Sequence, residues 1–283
     1  MSLAASPVPV LTVRGPLDEV DLAIDQLWLI GPDAVEERAA RDGFELVASF
    51  ASAADARVAA RALGERWHVQ VDDLDDDSYL DAWRAHASVE RVGRIVVVPS
   101  WLDLDISAAG PLTADDVVVH LDPGRAFGSG AHPTTKGVLD VIGGLELEGR
   151  RVIDVGCGSG VLSLAAVALG ASHVVAIDID DAALGATRSN VARNGMSDRV
   201  DVLGEPLDTI DGLFDVVLAN VLGVVLVALA PELREVLSEG GVLVLGGMLA
   251  GSTSVVEEAM APLAVIERRE RDGWATLVLT RSG

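Results

Sequence analysis

A single cysteine, Cys157, occurs in 283 residues, so no internal disulfide can form. A chain that dispenses with disulfides suits a reducing compartment, and a cytoplasmic location is expected. Lysine is almost missing: Lys136 is the only one, and arginine supplies the other 20 of 21 basic side chains. Against 44 acidic residues this leaves a net charge of −23. A general basic surface that would neutralise nucleic-acid phosphates is thereby excluded. The acidity either attracts a basic partner over long range or serves solubility alone. No apolar run approaches the ~18–20 residues of a membrane span. Residues 1–10 lack the basic start and long apolar centre of a secretory signal. Half of the residues are nonetheless apolar, and the length suits one large domain or two unequal ones.

The most informative stretch is Val152-Ile153-Asp154-Val155-Gly156-Cys157-Gly158-Ser159-Gly160-Val161-Leu162. A β-rich run, a glycine turn and an alanine- and leucine-rich run read as strand, loop and helix, the opening unit of a nucleotide-binding sheet. Glycine lets the backbone approach a ligand and adopt positive φ. Asp178 follows 22 residues after Gly156, at the tip of the next strand, where a carboxylate can bond both hydroxyls of a ribose. The competing reading of Asp178 is a helix-capping acid, since Asp180 and Asp181 are close. A dinucleotide fingerprint starting at Gly156 needs glycine at position 161, which is Val161. The pattern is instead D-x-G-x-G-x-G from Asp154 to Gly160, which resembles the S-adenosylmethionine loop of class I methyltransferases. Cys157, wedged between two glycines, is explained by its small size rather than by catalysis.

Residues 8–72 form a self-contained pattern. Val8 to Val13 reads as a strand, with Pro9 near its start suggesting an edge position. Leu17 to Leu29 carries a helical apolar stripe, and Ala34 to Arg41 is set to pair with Phe44 to Phe50 across Asp42-Gly43. Ser52 is placed to cap a helix through Leu63, and Trp67 to Val71 reads as a last strand. This β-α-β-β-α-β order is the ferredoxin-like plan. It carries no ligand fingerprint, so residues 1–72 are expected to be a small α+β substrate-recognition domain. Asp72-Asp73-Leu74-Asp75-Asp76-Asp77 puts five carboxylates in six positions, which suits an extended linker. With a short helix from Ser78 to Ala87 it makes residues 73–88 the linker, leaving 89–283 for the second domain.

Strands are expected at Arg94 to Trp101 and Val117 to Leu121, before a loop from Asp122 to Thr135 that is rich in turn residues. Thr134 and Thr135 are placed to cap a helix from Lys136 to Ile142, whose N-terminus suits a carboxylate. Asp122-Pro123-Gly124, Ala126-Phe127-Gly128, Gly130 and His132-Pro133-Thr134-Thr135 resemble the signature loop of the PrmA family, methyltransferases of the eleventh protein of the large ribosomal subunit. The resemblance runs collinearly over roughly residues 90–250. It takes in Pro99-Ser100-Trp101, Asp154 to Gly160, Ile177-Asp178-Ile179-Asp180, Asn190 with Arg193-Asn194-Gly195, Ala219-Asn220-Val221-Leu222, Leu229-Ala230-Pro231 and Gly247-Met248-Leu249-Ala250. The N-terminal residues match in pattern only.

The remaining chain alternates helices and apolar strands. Strands are expected at Val200 to Leu203, Phe214 to Asn220 and Gly241 to Leu249, and helices at Asp181 to Asn194, Leu222 to Leu237 and Ser254 to Met260. A closing hairpin, Ala264 to Arg269 and Trp274 to Thr280, follows. The expected fold is α/β: a seven-stranded, mostly parallel, Rossmann-like methyltransferase sheet with helices on both faces.

The resemblance implies that Thr135 contacts S-adenosylmethionine, that Gly156 opens the loop against it and that Gly158 lets its methionine portion pass. It implies that Asp178 binds the ribose hydroxyls and that Asn220 ends its strand beside the sulfonium methyl. Phe127 is either core packing or an aromatic over the adenine or sulfonium. His132 receives no role, no catalytic base is identified and no metal is expected. Asn220-Val221-Leu222-Gly223 stands where many enzymes acting on planar amides or bases carry Asn-Pro-Pro-aromatic. An amine acceptor therefore fits better, on a basic large-subunit ribosomal protein, with no direct nucleic-acid contact and no membrane. Two alternatives are a small-molecule methyltransferase and a non-catalytic cofactor-binding module.

Overall fold

The computed structural model describes residues 8–30, 32, 34–40, 43–50, 53–74, 88–102, 110–122, 128 and 130–281. The expected helix from Ser78 to Ala87, the acidic residues 75–77, Ser52 and Phe127 lie outside these. The chain forms two compact units, residues 1–87 and 88–283.

In the first unit, β1 (Val8–Gly15), α1 (Val20–Ile30), β2 (Ala34–Ala39), β3 (Phe44–Ser49), α2 (Ala53–Leu63) and β4 (His68–Leu74) follow one another. The four strands form an antiparallel sheet in the order β2-β3-β1-β4. Leu11, Val13, Ala23, Leu27, Phe44, Leu46, Ala56, Ala59, Leu63 and Trp67 make its core. The ring of Trp67 meets that of Phe44 edge to face, and its Nε1 donates to Glu19 Oε2 at 2.8 Å. Two expectations are corrected. Pro9 lies in an interior strand, tolerated because it precedes the first β1–β3 pair, Val10 with Ser49. The acidic run does not begin a linker at residue 73: β4 continues to Leu74, with Asp72 and Asp73 paired to Val10 and Pro9. An edge strand leaves one side to solvent, so like charges are tolerated there.

The second unit begins with a small sheet of β5 (Glu90–Val92), β6 (Ile95–Pro99) and β7 (Val117–Leu121), β5 antiparallel and β7 parallel to β6. Helix α3 (Pro133–Gly143) follows, and then the large sheet. Its elements are β8 (Arg151–Val155), α4 (Val161–Ala168), β9 (His173–Ile177), α5 (Asp181–Arg193), β10 (Val200–Leu203) and β11 (Phe214–Asn220). They continue with α6 (Gly223–Ala228), α7 (Ala230–Glu235), β12 (Leu237–Leu249), α8 (Thr253–Ala259), β13 (Ala264–Arg271) and β14 (Trp274–Thr280). The seven strands run β10-β9-β8-β11-β12-β14-β13, with the first five mutually parallel and β14 antiparallel to both neighbours.

Alternate residues of each strand enter opposite cores, as pleating requires. Val152, Val174, Ala176, Val216, Leu218 and Val244 face one core with residues of α3, α4 and α5. Ile153, Val155, Val175, Ile177, Val217, Ala219 and Leu245 face the other with residues of α6, α7 and α8. Burial on both faces is why these strands read as near-continuous apolar runs. The single helix expected from Leu222 to Leu237 is instead two short ones, broken at Leu229-Ala230-Pro231, because proline has no N–H for the preceding turn. β12 starts at Leu237, four residues earlier than expected, where Leu237 pairs with Phe214.

Candidate functional site

Three strands end in register. Val155 of β8 pairs with Ile177 of β9 on one side and with Ala219 of β11 on the other. The next residue of each strand is therefore Asp178, Gly156 and Asn220, side by side past the carboxyl edge of the sheet. Open parallel sheets bind their ligands at that edge.

The glycine turn is fixed from below. The amides of Gly156 and Cys157 donate to Ile177 O at 2.9 and 3.0 Å, and Gly160 N closes the turn onto Cys157 O at 2.8 Å. Gly156 has φ +73°, and a Cβ there would lie 2.3 Å from Val221 Cγ1. Beyond the positive φ expected of this glycine, the side chain of Val221 leaves no room for a Cβ here. Gly160, at φ +81°, has no room for a Cβ against Thr187. Gly158 also has positive φ, and its amide donates to Asp178 Oδ2 at 2.9 Å. Asp178 Oδ1 accepts the amide of Asp180 at 3.0 Å. The capping of α5 falls to Asp180, whose carboxylate accepts Ala182 N, so Asp178 is not the cap. Ile179 beside it is 96% exposed.

Asp154 is fully buried below the turn. Its Oδ2 accepts Ser163 N at 3.1 Å and Ser163 Oγ at 2.6 Å, while Oδ1 has no hydrogen-bond partner among the described residues. Burial pushes its pKa up to about 6; the Ser163 bonds oppose this and the Asp178 charge adds to it. Burial also drives the Cys157 thiol far above its ordinary range, which removes the thiolate needed for a nucleophile.

Thr135 is fully buried on α3, and its Oγ1 accepts a hydrogen bond from Asn220 Nδ2 at 3.4 Å. Asn220 Oδ1 is buried without a partner among the described residues. Thr134 and Thr135 do not cap α3. The cap is His132, whose Nδ1 accepts Thr134 N, and the helix starts at Pro133 because proline needs no donor partner at that position. The His132 ring lies edge to face with Trp274 at 5.2 Å, and burial lowers its pKa. The five residues thus form two groups: Gly156, Gly158 and Asp178 on one side, Thr135 with Asn220 on the other. Val221 joins them by packing from the residue after Asn220 onto Gly156. A separate cleft of about 410 Å³ at Pro231, Arg234, Pro262 and Arg281 lies away from these strand ends. Both of its arginines are engaged by backbone carbonyls.

Comparison with known proteins shows the family. The profile of the family described as ribosomal protein L11 methyltransferase (PrmA) matches residues 29–282. The chain belongs to that family. The ribosomal protein L11 methyltransferase of Pelotomaculum thermopropionicum is 38% identical over 303 aligned positions, covering 94% of this chain and 96% of the relative. That of Pelobacter propionicus is 39% identical over 218, covering 74% and 68%. The crystal structure of the ribosomal protein L11 methylase from Lactobacillus delbrueckii subsp. bulgaricus superposes with a TM-score of 0.63 at 31% identity, covering 70% of this chain and all of the other. Membership in the L11 methyltransferase family agrees with the methyltransferase-like α/β fold and its mostly parallel sheet.

Ser159 and Asn190, which carry the resemblance to the L11 methyltransferase family but no predicted role, and Thr187, which the sequence did not single out, also build this candidate site. All three are fully buried. Thr187 Oγ1 donates to Gly158 O at 2.8 Å, and Asn190 Nδ2 donates to Ser159 O at 2.9 Å. A signal was present, since polar residues recur at 187, 190 and 194 on one face of a helix.

Proposed function

We propose that this family member transfers methyl groups from S-adenosylmethionine to amino groups, lysine side chains or an N-terminal amine, of a large-subunit ribosomal protein. The observation that carries the reading is the register of Asp178, Gly156 and Asn220 at three adjacent strand ends.

The residues fit the cofactor. Each Asp178 oxygen already accepts one backbone amide and keeps a lone pair for a ribose hydroxyl. The orphaned Asn220 Oδ1 lies at the carboxyl end of β11 as a buried acceptor with unused capacity. Thr135 and Gly158 complete the set proposed to bind it. When bound, S-adenosylmethionine supplies an electrophilic methyl on a sulfonium centre. The protein's part is to orient and desolvate the acceptor. Lysine is ordinarily protonated, with a pKa of about 10.4. Partial burial lowers that value and releases the lone pair. Asn220 Oδ1 accepts an N–H of the incoming amine and aims it for in-line attack, so positioning supplies most of the catalysis.

The first unit is read as a ferredoxin-like recognition domain. Its four antiparallel strands in the order β2-β3-β1-β4, with two helices, support that plan. The net charge of −23 suits a basic protein acceptor. No helix among the described residues is long and apolar enough to cross a membrane, and a cytoplasmic setting belongs to the same reading.

The test is incubation with methyl-labelled cofactor and a set of ribosomal proteins, followed by mass spectrometry. Label is expected on amines of the eleventh large-subunit protein. Label on glutamine or on RNA, or none, would overturn the acceptor assignment.

A further inference from the structure

We propose that Asn190, acting with Ser159, is a positioning residue that locks the chain at Asp122 and Gly128 onto the glycine turn and so holds the two walls of the cofactor site at a fixed separation. This rests on the S-adenosylmethionine reading above.

The hydrogen bonds of Asn190 leave nothing spare. Nδ2 donates to Asp122 O and to Ser159 O, both at 2.9 Å. Oδ1 accepts Asp122 N at 2.9 Å and Arg193 Nη1 at 2.8 Å. Two donors and two acceptors are the full capacity of a carboxamide, and all four are used. Three of these bonds join α5 to the residue that follows β7 and to the middle of the glycine turn. Ser159 makes the second attachment: its Oγ donates to Gly128 O at 2.6 Å. A Cβ on Gly128, at φ +99°, would lie 2.9 Å from that Oγ. Gly128 is therefore tied to Ser159 directly and Asp122 through Asn190, and Ser159 is flanked by Gly158, whose amide holds Asp178, and by Gly160.

The helix spacing explains why asparagine serves here. Asn194, one turn along, accepts His120 N and donates to His120 O at 2.9 and 2.7 Å. Residues i and i+4 of a helix are separated by roughly 6 Å along its axis. Residues i and i+2 of a strand are separated by roughly 6.6 Å. The carboxamides of Asn190 on α5 and of Asn194 at its C-cap therefore match Asp122 and His120 and pair the edge of β7 that β6 leaves open. Asn194 completes the edge without touching the glycine turn. Only Asn190 reaches both.

The full-length protein and the variants Asn190→Ala, Ser159→Ala and Asn194→Ala are compared by S-adenosylmethionine calorimetry, thermal melting and hydrogen exchange without ligand. Ser159→Ala and Asn190→Ala are each expected to raise the cofactor Kd about tenfold. Both should speed exchange of the amides between residues 130 and 137. Asn194→Ala is expected to lower the melting temperature while leaving Kd within about twofold. Equal effects of Asn190→Ala and Asn194→Ala on Kd, or an unchanged Kd in Ser159→Ala, would overturn the inference. If Asn190→Ala does not fold, Ser159→Ala against Asn194→Ala decides the question. If the parent protein fails to bind S-adenosylmethionine, the functional reading fails. The clasp is then decided by exchange alone, and unchanged rates in Ser159→Ala would overturn it.

Discussion

Asp178 Oδ2 accepts the backbone amide of Gly158 at 2.9 Å, so the acid at the end of β9 holds the turn at the end of β8. The same carboxylate fixes the glycine turn and, on the proposed reading, keeps a lone pair on each oxygen for the ribose diol. Asp178→Ala is accordingly expected to weaken S-adenosylmethionine binding by about 2–3 kcal/mol, roughly a factor of thirty to a hundred and fifty. Because Asp178 is half-exposed, the melting temperature should fall only slightly. Calorimetry and melting on the same sample separate the two effects.

Gly156→Ala meets two obstacles, a positive φ and a Cβ only 2.3 Å from Val221 Cγ1. Stability is expected to fall by about 2–4 kcal/mol in urea titrations. Adding Val221→Ala should relieve the contact while leaving the backbone strain. Partial recovery is therefore expected, and complete recovery would show that φ carries no cost here.

Asp154 makes a pH dependence with a definite sign. Its folded-state pKa, about 6, stands above the ordinary carboxyl value because of burial, so the folded protein holds the proton more tightly than the unfolded chain does. Its contribution to stability is fully present below about pH 4 and is lost as pH rises to about 6. The loss amounts to about 3 kcal/mol at most. Asp154→Asn is expected to flatten stability over that window when unfolding is followed from pH 4 to 7. An unchanged slope would assign the pH dependence to other groups.

Asn220 holds Thr135 through Nδ2 and leaves Oδ1 buried and unpaired. Asn220→Ala is expected to lower kcat about a hundredfold, as for loss of one preorganised polar contact to the reacting group. The cofactor Kd should change far less. Thr135→Val, which keeps the shape and deletes the hydroxyl, should move Kd more than kcat. A reversed pattern in stopped-assay kinetics and calorimetry would exchange the two roles.

Much of the site could be read from the amino acids in order. Glycine at 156, 158 and 160 has no side chain to clash at positive φ, and local spacing placed Asp178 and Asn220 at strand ends. β11 begins and ends where its apolar run does, at Phe214 and Asn220. Those features depend on near neighbours along the chain. What depended on distant partners could be read only from the tertiary structure. β14 inserts between β12 and β13, and Leu237 joins β12 because it pairs with Phe214. β4 absorbs Asp72, Asp73 and Leu74 of the acidic run because β1 pairs with it, and it is an edge strand of its sheet. The clearest case is α5 and its C-cap, where Asn190 and Asn194 match the family pattern but nothing local shows what they hold. Only when β7 is brought alongside do their carboxamides meet an open row of backbone groups 68 and 74 residues away in sequence. Periodicity reports which face of a helix is apolar, whereas the partner of a buried amide is set by non-local packing. The sequence by itself determined the strand–turn–helix, because its glycines and apolar runs act through near neighbours, and the fold decided what holds that turn in place.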